Sequence, residues 1–264
     1  MNRIITLTTD FGLGDGYVAA VKGTLLALAP DAQLVDITHE IAPQNVHDAA
    51  FVLANAIPYF PMDAVHLIVV DPGVGSVRRT LAARTARATY VAADNGVLTL
   101  VWRQEPPLEI VSLTEPRFWR AGQISHTFHG RDIMGPVAAH LANGVPLSDL
   151  GPSITDPVTL DMAEPVEMPD GQLRGEIIYV DRFGNLISNI PADRVSDPIH
   201  VDIENRRLPL SRHYAEVPTG KPVALIGSHG YLEIAVREGN ANKRLRLGRG
   251  APVVISANRQ AEAG

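Results

Sequence analysis

Residues 65–75 read VHLIVVDPGVG, and this stretch does most to decide the fold. Residues 65–70 form a nearly continuous apolar run, which is typical of a β-strand that is buried on both of its faces. The Asp-Pro-Gly that follows is a strong turn signal and ends the strand. The stretch therefore predicts an inner strand of a covered sheet, with Asp71 at the carboxyl end of that strand.

On either side of this strand the first 160 residues carry patterns of strands and helices. The predicted strands are 3–9, 34–37, 65–70, two within 80–93, and 108–113, and the predicted helices are 18–28, 46–57 and 135–143. Strands that alternate with amphipathic helices indicate parallel strands joined by helical crossovers. Residues 1–160 are therefore predicted to form an α/β N-terminal domain, with a mostly parallel sheet and flanking helices.

The pattern changes after about residue 155. Residues 161–172 are acidic and rich in proline, and they are predicted to be a linker. Residues 173–264 then contain short β-type runs separated by turn signals, at 175–180, 186–190, 199–203, 223–226, 232–236 and 253–255. With no strong helical period between them, these runs predict an all-β C-terminal domain, either a small barrel or a sandwich.

Composition excludes several functional classes. The 264 residues include no cysteine, so disulfide frameworks, thiolate nucleophiles and thiolate-bound clusters are ruled out. A net charge of -6 without a basic run is unfavourable for binding nucleic acid or a membrane surface. No apolar stretch approaches the roughly 18 residues of a membrane span, and the first residues lack the apolar core of a signal peptide. A cytoplasmic location is therefore expected.

Two acidic residues stand where predicted strands end in glycine-rich loops. Asp10 precedes a loop with glycines at 12, 14 and 16, and ligands of open α/β sheets bind at this edge. Asp10 could equally form a turn or cap the following helix. Asp71 precedes a glycine loop that could fold Arg78 back onto its carboxylate, which would orient it and keep it ionised. The alternative is a β-turn with Arg78 at the surface.

Three further clusters are candidates for polar roles. His126, His129 and Asp132 lie at intervals of three residues, but no recognisable ligand set accompanies them, so no metal is predicted and His129 better suits a ligand pocket. Two turns between predicted strands also carry polar side chains, at 181–185 and 228–233. Each of these turns could also be purely structural, and so could Phe183, the aromatic residue of the first turn.

Taken in order, six short segments resemble the S-adenosyl-L-methionine hydroxide adenosyltransferase family, the adenosylmethionine hydrolases, which are related to fluorinases and chlorinases. The segments are TTDFG (8–12), DPGVGSVRR (71–79), ADNG (93–96), TFHGRD (127–132), DRFGN (181–185) and GSHGYLEIA (227–235). The resemblance covers nearly the whole chain and implies an α/β domain followed by a barrel-like domain. It also implies a homotrimer whose sites lie between the N-terminal domain of one subunit and the C-terminal domain of the next.

The resemblance implies that water attacks the ribose C5′ of S-adenosyl-L-methionine, releasing adenosine and L-methionine without a metal or redox cofactor. Asp71, Arg78 and His129 match the family's water-activating set. Asp71 and His129 are expected to accept hydrogen bonds or the proton, and Arg78 is expected to orient and to stabilise the developing hydroxide. The remaining positions match residues of the substrate site. Asp10 is expected at the ribose hydroxyls, Gly130 at the nucleophile pocket, and Asp181, Phe183, Asn185, Ser228 and Glu233 at the adenine and methionine ends.

Two alternatives remain open. A halogenase would use halide as the nucleophile, but the halogenases that this chain resembles have tyrosine in place of Asp71 and serine in place of Gly130. A non-catalytic binding protein for adenosine or S-adenosyl-L-methionine would have no need of Asp71, Arg78 and His129 together. The chain also departs from the halogenases at His229, where they have arginine, so the contact to the methionine carboxylate is not identified.

Overall fold

The structure is a computed structural model that describes residues 3–195 and 199–257. The chain divides into two compact units between Leu160 and Asp161. The outer ends of the two predicted domains, residues 1–2 and 258–264, lie outside the described residues. Within the described ranges, no helix is both long enough and apolar enough to cross a membrane.

The N-terminal unit alternates strands and helices along its first half. Its elements are β1 (Arg3–Thr9), α1 (Tyr17–Leu28), β2 (Ala32–Thr38), α2 (Val46–Ala56), β3 (Val65–Val69), β4 (Thr80–Arg84), β5 (Thr89–Ala93), α3 (Thr99–Gln104), β6 (Glu109–Ser112) and α4 (Gly135–Ala142). A π-helical turn, Gly130–Met134, leads directly into α4. Helix α2 begins at an Asn45 cap, whose side-chain oxygen accepts the Asp48 backbone N–H at 3.0 Å.

The six strands form one sheet in the order β2-β1-β3-β5-β4-β6. Strands β2, β1, β3 and β5 are parallel, and β4 is antiparallel to both of its neighbours. The predicted α/β fold is confirmed, with a sheet that is mixed at one edge. The antiparallel direction of β4 follows from the short connection to β5. Only residues 85–88 join the two strands, whereas a parallel pair would need a crossover of a dozen or more residues.

Strand β3 is the inner strand that its apolar run predicted, because every one of its side chains is buried. Val65, Leu67 and Val69 belong to the core that α1 and α4 cover. Ile68 and Val70, on the other face, belong to the core that α2 and α3 cover. Helices pack on both faces of the sheet, and the carboxyl edge of β1 and β3 carries Asp10 and Asp71.

The C-terminal unit is a closed barrel. Its elements are β7 (Val166–Glu167), β8 (Leu173–Val180), β9 (Leu186–Pro191), β10 (Ile199–Ile203), β11 (Arg206–Ser211), β12 (Pro222–Ile226), β13 (Tyr231–Val236), α5 (Ala241–Leu245) and β14 (Pro252–Ala257). Strands β8 to β14 pair in the closed ring β8-β14-β10-β11-β12-β13-β9-β8. Strand β7 pairs with β8 and is not a member of the ring. The barrel alternative is therefore correct, and the sandwich is not formed.

Three elements of this unit were not predicted. Strand β7 lies in the segment predicted as a linker, and it is only two residues long. Strand β11 (RRLPLS) contains two arginines and Pro209, which disfavour a strand when the sequence is considered alone. Helix α5 has five residues, too few for an apolar period, and begins at Asn240, whose side chain accepts the Lys243 N–H at 2.7 Å.

Candidate active site

Asp71 and Arg78 form a two-pronged ion pair at the carboxyl end of β3. Arg78 Nε donates to Asp71 Oδ1 at 2.7 Å, and Arg78 Nη2 donates to Asp71 Oδ2. Both side chains are nearly withdrawn from solvent. The glycine loop therefore folds Arg78 back onto the carboxylate, and the alternative of a surface arginine is wrong. Such a pair fixes the orientation of the carboxylate while leaving one lone pair free on each oxygen.

His129 completes the cluster through a contact with the same guanidinium. Its Nδ1 lies 2.9 Å from Arg78 Nη2. A guanidinium can only donate, so Nδ1 is the acceptor, and the neutral ring carries its proton on Nε2. Burial, and then the positive charge of Arg78, lower the pKa of His129 below its ordinary value of 6.5. The ring is therefore neutral at pH 7, with an Nε2–H donor.

The segment that carries His129 is anchored by Asp132, which is completely buried. Asp132 accepts hydrogen bonds from Arg120, from Arg131 at 2.7 and 2.8 Å, and from the Ser125 backbone N–H at 2.9 Å. The Arg131 hydrogen bonds are the main reason that the pKa of Asp132 lies far below its usual range. Among residues 3–195 and 199–257, no three His, Asp or Glu side chains are grouped as a metal site requires.

Gly130 allows the π-helical turn to pack directly against β3. A Cβ at this position would lie 2.6 Å from Cγ1 of Val69, closer than such atoms approach one another. Val69 is the last residue of β3, two positions before Asp71. Glycine is therefore needed here for close packing, and this packing brings His129 to the end of the strand that carries Asp71.

Asp10 lies at the same edge of the sheet, since β1 and β3 are parallel neighbours with Thr9 opposite Val69. Its Oδ2 accepts the Gln44 backbone N–H at 2.8 Å. The rings of Phe11, Tyr17 and Phe128 form a cluster beside it, with centroids 5.4–5.8 Å apart. This aromatic cluster was not predicted from the sequence, although Phe11 and Phe128 directly adjoin the predicted site residues Asp10 and His129.

In the barrel unit, the 181–185 turn is closed by its own side chains. Asp181 accepts the Asn185 backbone N–H at 2.8 Å and the Asn185 Nδ2–H at 2.9 Å. Phe183, at the tip of the turn, is 75% exposed, so it is not a core residue. A groove of about 490 Å³ beside the turn is lined by Phe183, Asn185, Tyr214, Val236, Arg237, Glu238 and Gly239.

Glu233 lies inside a hydrogen-bonded network, and only 3% of it is exposed. It accepts from Tyr214 Oη at 2.7 Å and from His229 Nε2 at 3.1 Å, while His229 Nδ1 accepts the Tyr231 N–H at 3.2 Å. Burial and the bond to Glu233 raise the pKa of Tyr214 far above its usual range, so Tyr214 remains a donor. Ser228 is exposed on the same turn. Tyr214 was not singled out from the sequence, because no motif contains it.

Two family models cover most of the chain. The model described as the SAM hydroxide adenosyltransferase N-terminal domain matches residues 5–151, and the model of the C-terminal domain matches residues 175–254. The chain is 44% identical to an (R)-S-adenosyl-L-methionine hydrolase from Thermus thermophilus, over 95% of this chain and 98% of the relative. It is 28% identical to a fluorinase from Nocardia brasiliensis, over 88% of this chain and 89% of the relative.

Solved structures agree with both units. A crystal structure of a conserved protein from Thermotoga maritima matches with a TM-score of 0.87 and 37% identity, covering 96% of this chain and 100% of that chain. A crystal structure of a conserved protein from Thermus thermophilus matches with a TM-score of 0.81 and 42% identity, covering 97% of this chain and 100% of that chain.

Proposed function

The chain belongs to the S-adenosyl-L-methionine hydroxide adenosyltransferase family, and from this premise we propose that it hydrolyses S-adenosyl-L-methionine to adenosine and L-methionine. The observation that carries the proposal is the cluster of Asp71, Arg78 and His129 at the carboxyl edge of the sheet. Hydrolase relatives from Thermus thermophilus and Methanocaldococcus jannaschii are 44% and 36% identical to this chain, against 28% for the Nocardia fluorinase.

The reaction is an in-line displacement at the ribose C5′. A water oxygen forms a bond to C5′ while the bond from C5′ to sulfur breaks, and both electrons of that bond go to sulfur. The sulfonium thereby becomes the neutral thioether of methionine, so its departure needs no general acid. One proton of the water is lost, which gives the 5′-hydroxyl of adenosine. The protein must hold one water in line and accept its proton, and alignment alone can contribute up to about 7–11 kcal/mol.

We assign the three side chains different tasks. Asp71 accepts a hydrogen bond from the attacking water and then its proton, using a lone pair that Arg78 leaves free. Arg78 fixes the carboxylate and, through the same nitrogen, the imidazole ring. His129 donates from Nε2 to the water oxygen, because its Nδ1 is engaged by Arg78. This assignment narrows the expectation from the sequence, which left the proton acceptor open between Asp71 and His129.

Asp71 also explains the preference for water over halide. A fixed carboxylate about 4 Å from a halide ion repels it by about 4 kcal/mol at an effective dielectric constant of 20, before the opposing attraction of Arg78 is counted. Water has no such penalty, and it gains a proton acceptor. The fluorinase-type alternative is therefore not favoured by this site.

The substrate contacts follow the family resemblance. Asp10 is assigned to the ribose hydroxyls and Gly130 to the nucleophile pocket, while Asp181, Phe183, Asn185, Ser228 and Glu233 serve the adenine and methionine ends. An exposed Phe183 beside the groove suits stacking on a flat base. Glu233 is enclosed by Tyr214 and His229, so we assign it an indirect part, in which it orients Tyr214 at the groove.

The finer proposals concern assembly, cofactors and location. We propose a homotrimer with each substrate site shared between neighbouring subunits, turnover that needs no metal or redox cofactor, and a location in the cytoplasm. The chemistry supports independence from metals, because neither the leaving group nor the proton acceptor calls for a Lewis acid. Exhaustive treatment with a chelator is expected to leave the turnover rate unchanged.

The direct test is a product assay with the purified protein in a halide-free buffer. Incubation with S-adenosyl-L-methionine is expected to release adenosine and methionine in equal amounts, measured by chromatography and mass spectrometry. Parallel reactions with chloride or fluoride should give the same two products at the same rate. Turnover that requires a halide, with 5′-halogenated deoxyadenosine as the product, would show that the proposal is wrong.

A further inference from the structure

The loop 71–79, which carries Asp71 and Arg78, contacts one turn at both of its ends, and at the second end Arg79 also donates to the Asp156 side chain at 2.8 Å and to its carbonyl oxygen at 2.7 Å. At the first end, Asn95 Nδ2 donates to the Val70 carbonyl oxygen at 2.9 Å. At the other end, Arg79 Nε donates to Asp94 Oδ2 at 2.8 Å, and the Asp94 backbone N–H donates to the Arg79 carbonyl oxygen at 3.0 Å. The turn is the ADNG segment, and no step of the proposed reaction uses it.

The turn itself is firmly placed. The Asp94 side chain is only 2% exposed and also accepts the Val158 N–H at 2.8 Å through Oδ1. Asn95 Oδ1 accepts the Val97 N–H at 3.2 Å, so this amide uses both of its ends. Gly96 has a φ of +87°, and a Cβ there would meet the Leu160 backbone nitrogen at 2.9 Å. The loop is thus tied to a buried, hydrogen-bonded turn of the N-terminal unit.

The hydrogen bond from Asn95 lies just beyond the point where the strand pairing of β3 ends. The pairing of β3 with β5 ends at Leu67, and its pairing with β1 ends at Val69. Val70 lies beyond both ladders, and the next residue is Asp71. At the other end of the loop, Arg79 directly follows Arg78. Each anchored residue is therefore one peptide away from a member of the water-activating pair.

We propose that Asp94 and Asn95 are positioning residues that set the distance and orientation between Asp71 and Arg78. The inference rests on the proposed function, because it assigns the turn to the same reaction. Reacting groups tolerate little displacement, and a shift of about 1 Å caused by a remote substitution can lower a rate about 100-fold. A loosened loop would thus slow the chemical step while leaving the substrate contacts in place.

Asn95→Asp tests the first anchor with the smallest change in shape. The variant keeps the oxygen that accepts from Val97 but loses the N–H that holds Val70. The expected result is a fall in kcat of about 10-fold or more with little change in KM, since no substrate contact is altered. The matched control is Asn143→Ala, which removes a 2.8 Å bond of the same kind to the Leu28 carbonyl, at the ends of α1 and α4. This control should keep the wild-type kcat.

A second measurement follows the loop itself. It is the NMR signal (¹⁵N–¹H) of the Arg78 Nε–H, which is assigned by its absence in an Arg78→Lys variant. Asn95→Asp should shift this resonance and speed its exchange with water, and Asn143→Ala should not. If Asn95→Asp does not fold, Asp94→Asn tests the second anchor by the same two readouts. An unchanged kcat and an unchanged Arg78 resonance would overturn the inference. Absence of hydrolysis by the wild-type protein would instead contradict the proposed function, and the resonance would still decide whether the turn positions Arg78.

Discussion

At the scale of single residues, Asp71 has to meet two requirements. It is held through both oxygens by Arg78, and in the proposed reaction it must still accept the proton of the attacking water. A two-pronged guanidinium stabilises the ionised carboxylate and orients it, while one lone pair on each oxygen stays free to accept another hydrogen bond. The proposed water-activating role therefore depends on the charge of Asp71 and not only on its shape.

Asp71→Asn separates these two properties. The amide has nearly the same shape but cannot take up a proton, so we expect kcat to fall at least about 100-fold, a typical contribution of a general base. The affinity for adenosine, measured by calorimetry, should stay close to that of the wild type. Asp202→Asn is the matched control, because Asp202 forms a two-pronged pair with Arg207 in the barrel unit. Near-normal turnover by Asp71→Asn would mean that another group accepts the proton.

The lowered pKa of His129 predicts how the rate falls on the acid side of the pH–rate profile. Burial and the charge of Arg78 lower its pKa, so the neutral form persists below pH 6.5. Protonation at Nδ1 would remove the acceptor that holds the ring to Arg78, and kcat/KM should therefore fall as the pH drops through the lowered pKa. We expect the midpoint of this limb below 6.5 and its loss in His129→Asn, which does not titrate. An activity that rises as the pH falls below 6 would contradict this role.

The Asp71–Arg78 pair was predictable because both residues stand on one short glycine loop. The addition of His129, 51 positions after Arg78, rested on the family resemblance, since no local pattern reports contacts across such a separation. Its tautomer follows only from the observed guanidinium partner. The tautomer of His229 likewise follows only from its observed partners, because its two ring nitrogens contact Glu233 and the Tyr231 N–H.

At the scale of elements, the packing of the π-helical turn on β3 determines where His129 lies. The space between Gly130 and Val69 is too small for one added methyl group. Gly130→Ala is therefore expected to destabilise the protein by about 1–3 kcal/mol, the usual cost of overpacking a core. The measurement is the free energy of unfolding from urea titrations.

A double-mutant cycle gives this prediction its control. Val69→Ala removes the two methyl groups that would meet the new side chain, so Gly130→Ala should cost less in that background than in the wild type. Strictly additive effects of the two substitutions would show that Gly130 does not pack on Val69 as described.

Elements with strong patterns were predictable, and those shaped by tertiary contacts were not. Strand β3 is apolar throughout and buried on both faces, so its sequence alone identifies it. Strand β11, with its arginines and Pro209, is stabilised by pairing with β10 and β12, which single-segment patterns do not report. The close packing of the π-helical turn on β3 at Gly130 is likewise a tertiary contact that the local sequence does not report.

At the scale of the whole molecule, the assigned residues are distributed over both units. The family resemblance implies a homotrimer, so sedimentation is expected to give three times the mass of the chain.

A mixing experiment tests whether substrate sites are shared between subunits. Asp71→Asn and Asn185→Ala, each of low activity alone, are coexpressed in equal amounts. With random assembly, about a quarter of sites shared between subunits would contain neither defect, and activity should recover to about that fraction. Sites built from one chain would show no recovery.

Isotope labelling tests the central claim that water attacks the ribose C5′. The protein is incubated with S-adenosyl-L-methionine in ¹⁸O-labelled water, and the products are analysed by mass spectrometry. The account predicts one ¹⁸O atom at the 5′-oxygen of adenosine and none in methionine. Unlabelled adenosine would contradict it. So would 5′-methylthioadenosine with labelled homoserine, because these products form when water attacks Cγ of the methionine moiety and the bond from Cγ to sulfur breaks.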